Sequence, residues 1–168
     1  EEGTMSSFTG LAETIAAHGL FGTLYTDRGS HYFFTPKAGE KVDKTRLTQV
    51  GRALRQLGIR HMPSYSPEAR GRMERVFGTL QNRLPPELRR AGVTTKEAAN
   101  RYLRETFVPA YNARFGKPAA EDGSAFVAYA GAELRDVLCV QEDRQVGRDN
   151  CVSWARKSLD RKSTRLNS

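Results

Sequence analysis

An α/β layer fold is predicted by three features of this sequence. Apolar stripes at helical spacing alternate with short apolar runs of strand length over the first 90 residues, in the order helix, strand, helix, strand, helix. An acid follows directly on the first strand-like run, where open α/β sheets place functional groups. The chain of 168 residues, with 38% hydrophobic content, is also long enough to bury a real core.

The opening Glu1-Glu2-Gly3-Thr4 has no start methionine and no turn before it, so the chain is expected to begin within a domain. Ser6 or Ser7 can cap a first helix, on which Phe8, Leu11 or Ala12, and Ile15 recur on one face until His18-Gly19. Leu20 to Tyr25 then reads as a short buried strand delivering Asp27, with Arg28-Gly29-Ser30 turning the chain. His31-Tyr32-Phe33-Phe34 is either a brief strand or a packed loop. Thr35 to Arg46 is a polar, basic excursion punctuated by Pro and Gly. Leu47, Val50, Leu54 and Leu57 give a helix stripe closed by Gly58, and Ile59 to Pro63 is β-prone.

The stretch from Ser64 to Arg83 reads as a helix with two faces. Ser66 can cap it, Pro67 suits its first position, and Glu68 suits the positive end of the dipole. Met73, Val76, Phe77 and Leu80 form a stripe expected to face a core, while Arg72, Arg75, Thr79 and Arg83 fall away from it. Glu74 shares its flank with Gly71, Gly78 and Gln81. Two glycines beside one acid cost a helix roughly 1 kcal/mol each against alanine. Close approach of a metal ion or a nucleic-acid backbone would explain them; the plainer reading is an acid paired with neighbouring arginines.

Beyond Arg83, Leu84-Pro85-Pro86 is expected to break the helix ahead of a short one ending at Gly92. Thr94 and Glu97 suggest a capping box for a helix carrying Ala98 or Ala99, Tyr102 or Leu103, Phe107 and Tyr111 despite Pro109. Lys117 to Gly131 reads as a linker. Val137 to Val140 and Cys151 to Trp154 are strand-like, and Arg161 to Ser168 has no periodicity and is expected to be disordered.

The net charge is +8, and much of it is concentrated. Between Val50 and Arg90 there are nine arginines against three glutamates, with no lysine or aspartate. The planar fork of arginine suits bidentate phosphate contacts, so a polyanionic partner, nucleic acid, is expected. No apolar run approaches the ~18 to 20 residues of a membrane span, and no small-molecule site is suggested. Cys139 and Cys151 read as free thiols of a reducing cytoplasm.

Leu24-Tyr25-Thr26-Asp27-Arg28-Gly29-Ser30, the run Tyr65 to Leu80, and the later Tyr111-Asn112 with Phe115 and Pro118 together resemble the core of insertion-sequence transposases of the DDE integrase superfamily, closest to the ISNCY group. The resemblance covers roughly residues 1 to 155 and implies a ribonuclease H-like integrase core and a bacterial, cytoplasmic protein. It also implies that Asp27 is the second acid of a catalytic triad and Glu74 the third, 47 positions on. The excursion from Thr35 to Arg46 accounts for that long spacing. No residue before Phe8 matches the first acid, so the opening strands are expected to be missing. Gln145 to Ala155 resembles the entry to a small C-terminal β-barrel, and Asp160 to Ser168 does not continue the pattern. The implied organisation is a partial catalytic core over 1–116, linker and short helix over 117–136, the start of a C-terminal β domain over 137–157, and an unrelated disordered tail over 158–168.

Carboxylates are hard ligands for Mg²⁺ or Mn²⁺, and a pair of such ions can activate a water or a 3′-hydroxyl at a phosphodiester. The expected activity is metal-dependent DNA cleavage and strand transfer by a homo-multimer acting on transposon ends and target DNA, with this fragment inactive alone. Arg70, Arg72, Arg75, Gln81 and Asn82 are the candidate DNA contacts. His31 and His61 could orient DNA or a carboxylate but read more simply as structural. Ser64 and Ser66 lack a supporting His and Asp arrangement, which disfavours a serine nucleophile. A catalytically dead DNA-binding module and a ribonuclease H-like nuclease that cuts without joining are the competing readings.

Overall fold

The computed structural model describes residues 3–37, 40–43, 45–65, 71–118 and 120–160, with the side chain of Arg72 not described. Helix α1 (Thr4–His18) precedes strand β1 (Thr23–Thr26), and helix α2 (Gln49–Gln56) connects it to strand β2 (Arg60–Pro63). The two strands pair in parallel, Thr23 opposite Arg60 through Thr26 opposite Pro63, so the unit is β-α-β. Parallel strands need such a crossover, and the stripe of α2 supplies its inner face.

The core is built from that unit. Phe8, Leu11 and Ile15 of α1 meet Val50, Ala53 and Leu54 of α2, with Leu57, Ile59 and Leu138 completing the cluster. Val50, Ala53 and Leu54 are 0% exposed. Helix α2 starts where Thr48 Oγ1 accepts from the Gly51 N–H at 3.1 Å, a side-chain cap that replaces one missing helical acceptor. At α1 the expected Ser6 or Ser7 cap is not found: Gly3 is the N-cap, and the Ser7 hydroxyl instead donates back to Gly3 O at 3.0 Å. That back-bond occupies the serine inside the first turn.

Strand β1 is shorter than expected. Leu20 makes an isolated antiparallel bridge to Val127, N–H to O at 2.7 and 2.8 Å, before the chain turns into β1. Gly19 makes this possible: its φ is +97°, and a Cβ there would lie 2.5 Å from Val127 O. The stretch expected to be a linker thus returns to the core, where Phe126 packs on His18 and Phe21. The excursion after β1 is closed by a bridge between Phe34 and Asp43.

Helix α3 spans Gly71–Arg90, and the expected cap at Ser66-Pro67-Glu68 lies outside the described residues. It does not break at Pro85-Pro86. Proline φ is compatible with a helix; what is lost is two donors. The residues four positions earlier, Gln81 and Asn82, are exposed, which lets water serve their carbonyls. A second correction concerns the apolar stripe: Met73, Val76 and Phe77 are 51, 47 and 55% exposed, because no described element packs on this half of α3. Its C-terminal half does pack, with Arg83 over the Phe115 ring at 4.7 Å and Tyr102 donating to Glu87 Oε2 at 3.4 Å.

Helix α4 (Lys96–Tyr102) is capped by Thr95, whose hydroxyl accepts from Ala98 N, and not by Thr94; with two adjacent threonines, the one three residues before the free N–H takes the role. A π-turn (Leu103–Phe107) leads into α5 (Val108–Phe115). The widened turn lies just where Pro109 lacks its donor, which relieves the clash that proline causes in a tighter ladder. Val137 to Val140 is not a strand. Helix α6 (Leu134–Val137) occupies its start, and Leu138 is buried against α1 and α2. The guanidinium of Arg52 donates to the carbonyls of Val137 and Cys139 and holds this segment on α2. Strands β3 (Cys151–Trp154) and β4 (Lys157–Asp160) form an antiparallel hairpin, so residues 158–160 of the expected tail are paired. Cys139 and Cys151 are free thiols.

Candidate functional site

Asp27 stands one residue beyond β1 and is exposed. Its Oδ1 accepts the Gly29 N–H at 2.9 Å, an Asx turn that fixes the carboxylate at the edge of the sheet. Gly29 permits this geometry, since a Cβ there would lie 3.1 Å from Asp27 Oδ1 and 3.0 Å from the His31 ring. Strand β2 ends beside β1, and the Ser64 N–H donates to Thr26 O at 2.9 Å. The chain leading to α3 therefore leaves from the same edge that carries Asp27.

Behind the acid lies a group that sequence reasoning undervalued. The Thr26 hydroxyl donates to Asp27 O at 2.9 Å, and its oxygen is 2.9 Å from His61 Nε2. A hydroxyl has one hydrogen, so the arrangement is satisfied when His61 carries its proton on Nε2 and donates to Thr26. His61 stacks on Phe33, centroids 4.1 Å apart, with Tyr32 edge-on at 5.8 Å. Burial among these rings pushes the imidazole down to about 4, so it is neutral at pH 7. His61 thus orients the strand end as a neutral donor. His31 packs on Tyr32 at 4.0 Å. Strand register brings the two together: His61 pairs with Leu24, two residues before Thr26 and on the same face of the strand.

Along α3, Glu74, Gln81, Asn82 and Arg75 fall within an arc of about 120° at helical spacing. All four are exposed. Arg75 Nε donates to Gly71 O at 3.0 Å, folding the guanidinium along the helix. A Cβ at Gly71 or Gly78 would meet nothing within 4 Å, so the described packing does not require these glycines and the flank of Glu74 is left open. Arg70 lies outside the described residues, as does the side chain of Arg72. The structure gives no contact between Asp27 and Glu74, and among the described residues no group of three or more His, Cys, Asp or Glu could hold a metal ion. Not every arginine faces outward for a partner: Arg52 is spent on carbonyls and Arg83 on Phe115.

The chain is similar to a transposase, y4bF, of Sinorhizobium fredii, 34% identical over 160 residues, which are 94% of this chain and 34% of that protein. It is also similar to the transposase for insertion sequence IS1202 of Streptococcus pneumoniae, 36% identical over 106 residues, 63% of this chain and 23% of that protein. The chain is a relative of the insertion-sequence transposases. It spans about a third or less of the length of the curated relatives it matches. No family model matches it, and no solved structure does.

In this transposase relative the donor chemistry suits a hard cation in part. Asp27 Oδ2 has no hydrogen bond among the described residues, and both Asp27 and Glu74 are exposed carboxylates. No helix among the described residues is long and apolar enough to cross a membrane.

Proposed function

We propose that this chain is part of the catalytic region of a transposase that cuts DNA at transposon ends and joins those ends to target DNA, with Asp27 and Glu74 as two of its metal-binding acids in a ribonuclease H-like core. The observation that carries the reading is the similarity to two transposases, one of them over 94% of the chain. The position of Asp27 supports it: an acid held by an Asx turn at the C-terminal edge of a parallel pair, as functional groups are placed in open α/β sheets.

Mg²⁺ or Mn²⁺, held by Asp27 Oδ2 and the Glu74 carboxylate, would supply Lewis acidity at the phosphodiester. The chain's own residues then have separable tasks. The Gly29 N–H keeps Oδ1 occupied and so leaves Oδ2 for the ligand. Neutral His61, through Thr26, steadies the strand end without adding a positive charge beside the acid. Arg75, Gln81 and Asn82 lie beside Glu74, where they can position a DNA backbone, and Arg70 and Arg72 are assigned to the same task by sequence alone. The active form is a multimer that holds paired ends.

The test uses a protein of the relatives' full length carrying this chain, with a labelled transposon-end duplex in Mg²⁺ or Mn²⁺. Asp27→Ala and Glu74→Ala should each lower cleavage and joining by about 10²-fold or more while duplex binding survives, the scale of losing one transition-state group. Activity that persists in both variants would leave a DNA-binding module as the better reading. Cleavage without joining of pre-cut ends would point to a nuclease.

A further inference from the structure

A cavity of about 440 Å³ opens between the start of α2 and the outer side of β2, bounded by the excursion that follows β1. It falls within the roughly 300 to 1,000 Å³ of small-ligand clefts. Three arginines line it, Arg46, Arg55 and Arg60, drawn from the excursion, α2 and β2. Arg55 and Arg60 are exposed, and their guanidinium groups make no hydrogen bond or ion pair among the described residues. Arg46 lies over the Phe34 ring, its carbon 3.9 Å from the centroid, a contact that fixes the side chain, while its charge interacts with the Asp43 carboxylate. One acid lines the cavity, Asp43, and its Oδ1 is already taken by Thr45 N, Thr45 Oγ1 and Arg46 N at 2.8, 2.6 and 3.2 Å. No acid stands in the first turn of α2, so the positive end of its dipole adds to the arginines. The apolar part of the lining comes from Phe33, Leu47 and Pro63.

Three arginines against one carboxylate, with apolar residues in the same lining, match a ligand that is anionic at one end and flat and apolar at the other. We propose that this cavity takes one nucleotide unit of a single DNA strand, its phosphate on Arg46, Arg55 and Arg60 and its sugar and base against Phe33, Leu47 and Pro63. Arginine forks suit phosphate, and base contact with apolar and aromatic walls is the usual means of holding unpaired strands. His61 lines the same cavity, so a bound nucleotide would touch the ring that steadies the strand end before Asp27. The proposal rests on the transposase reading only in choosing DNA as the source of the nucleotide.

The test is a set of NMR titrations on the 168-residue chain, observing backbone amides and arginine Nε–H groups. The probes are thymidine 5′-monophosphate, thymidine, an oligothymidylate of about eight nucleotides and a duplex. The monophosphate and the oligothymidylate should both shift Arg55, Arg60 and Gly51, and thymidine should bind at least about tenfold more weakly than its monophosphate. Arg55→Ala with Arg60→Ala should weaken oligothymidylate binding about tenfold or more and leave the Phe8 and Leu11 amides of the core unmoved. Binding of oligothymidylate by the double variant as by the parent overturns the proposal. So does equal binding of thymidine and its monophosphate, or an equal loss of oligothymidylate and duplex binding, which marks general surface charge. Monophosphate binding without the oligothymidylate overturns the assignment to a strand. Oligothymidylate bound in the cavity with no duplex binding anywhere supports the cavity while counting against the transposon-end reading.

Discussion

Helices α2 and α3 carry the same kind of message in sequence and meet different fates. Both have an apolar stripe at helical spacing and arginines on the other side. In α2 the stripe is sealed, with Val50, Ala53 and Leu54 wholly buried between α1 and the strands. In the first half of α3 the stripe of Met73, Val76 and Phe77 is about half exposed. Periodicity establishes that a helix has an apolar face; only a neighbouring element decides whether burial contributes to stability.

The sharpest way to break this comparison is to truncate one residue from each stripe. Leu54→Ala should destabilise the chain by about 2 to 5 kcal/mol in urea unfolding, since it leaves a cavity in a closed core. Phe77→Ala should change stability by less than about 1 kcal/mol, as substitutions outside the packed interior do. Similar losses from both would mean that the face of α3 is covered in solution.

At the edge of the sealed region, His61 offers a pH test. Its folded value of about 4 lies below the 6.5 of an exposed histidine, so between these values the unfolded chain binds more protons than the folded one. Stability should therefore fall as pH drops from about 6.5 toward about 4, and His61→Gln should flatten that part of the curve. An unchanged slope in the variant would assign the loss to other groups.

A smaller effect than that of Leu54→Ala belongs to the periphery, where backbone geometry and not burial is the lever. The hairpin β3–β4 turns at Ala155 and Arg156, both at positive φ, 48° and 62°. Two-residue turns of this kind favour Asn-Gly. Ala155→Asn with Arg156→Gly should raise hairpin stability by roughly 1 kcal/mol, read as slower amide exchange at Val152 and Leu159.

What the sequence made legible was local. Phe8, Leu11 and Ile15 announced the buried face of α1, and Asp27 could be placed at a strand end because a turn sequence follows it at once. Val137 to Val140 misled because a run of four apolar residues does not distinguish a strand from a short helix, and Arg52, 85 and 87 positions away from its carbonyl partners, decides the matter. Pro85-Pro86 misled because a break was inferred from the lost donors without regard to the solvent beside Gln81 and Asn82. His61 read as a lone histidine because its surroundings, Phe33 and Thr26, are assembled only by the excursion and the strand register. Glu74 was singled out by its glycine flank, and that flank is open, yet the relation of Glu74 to Asp27 depends on the stretch between β2 and α3.

The bridge between Leu20 and Val127 can also be considered as a seam. With the Gln49 side-chain amide donating to Gln141 O across 92 positions, it sews the two ends of the core together on either side of α3, α4 and α5. In terms of chain connectivity, that helical arm is a closed loop whose length does not enter the stitching. The entropic cost of closing such a loop grows only with the logarithm of its size, so the arm can lengthen or shorten with little consequence for the body that anchors Asp27.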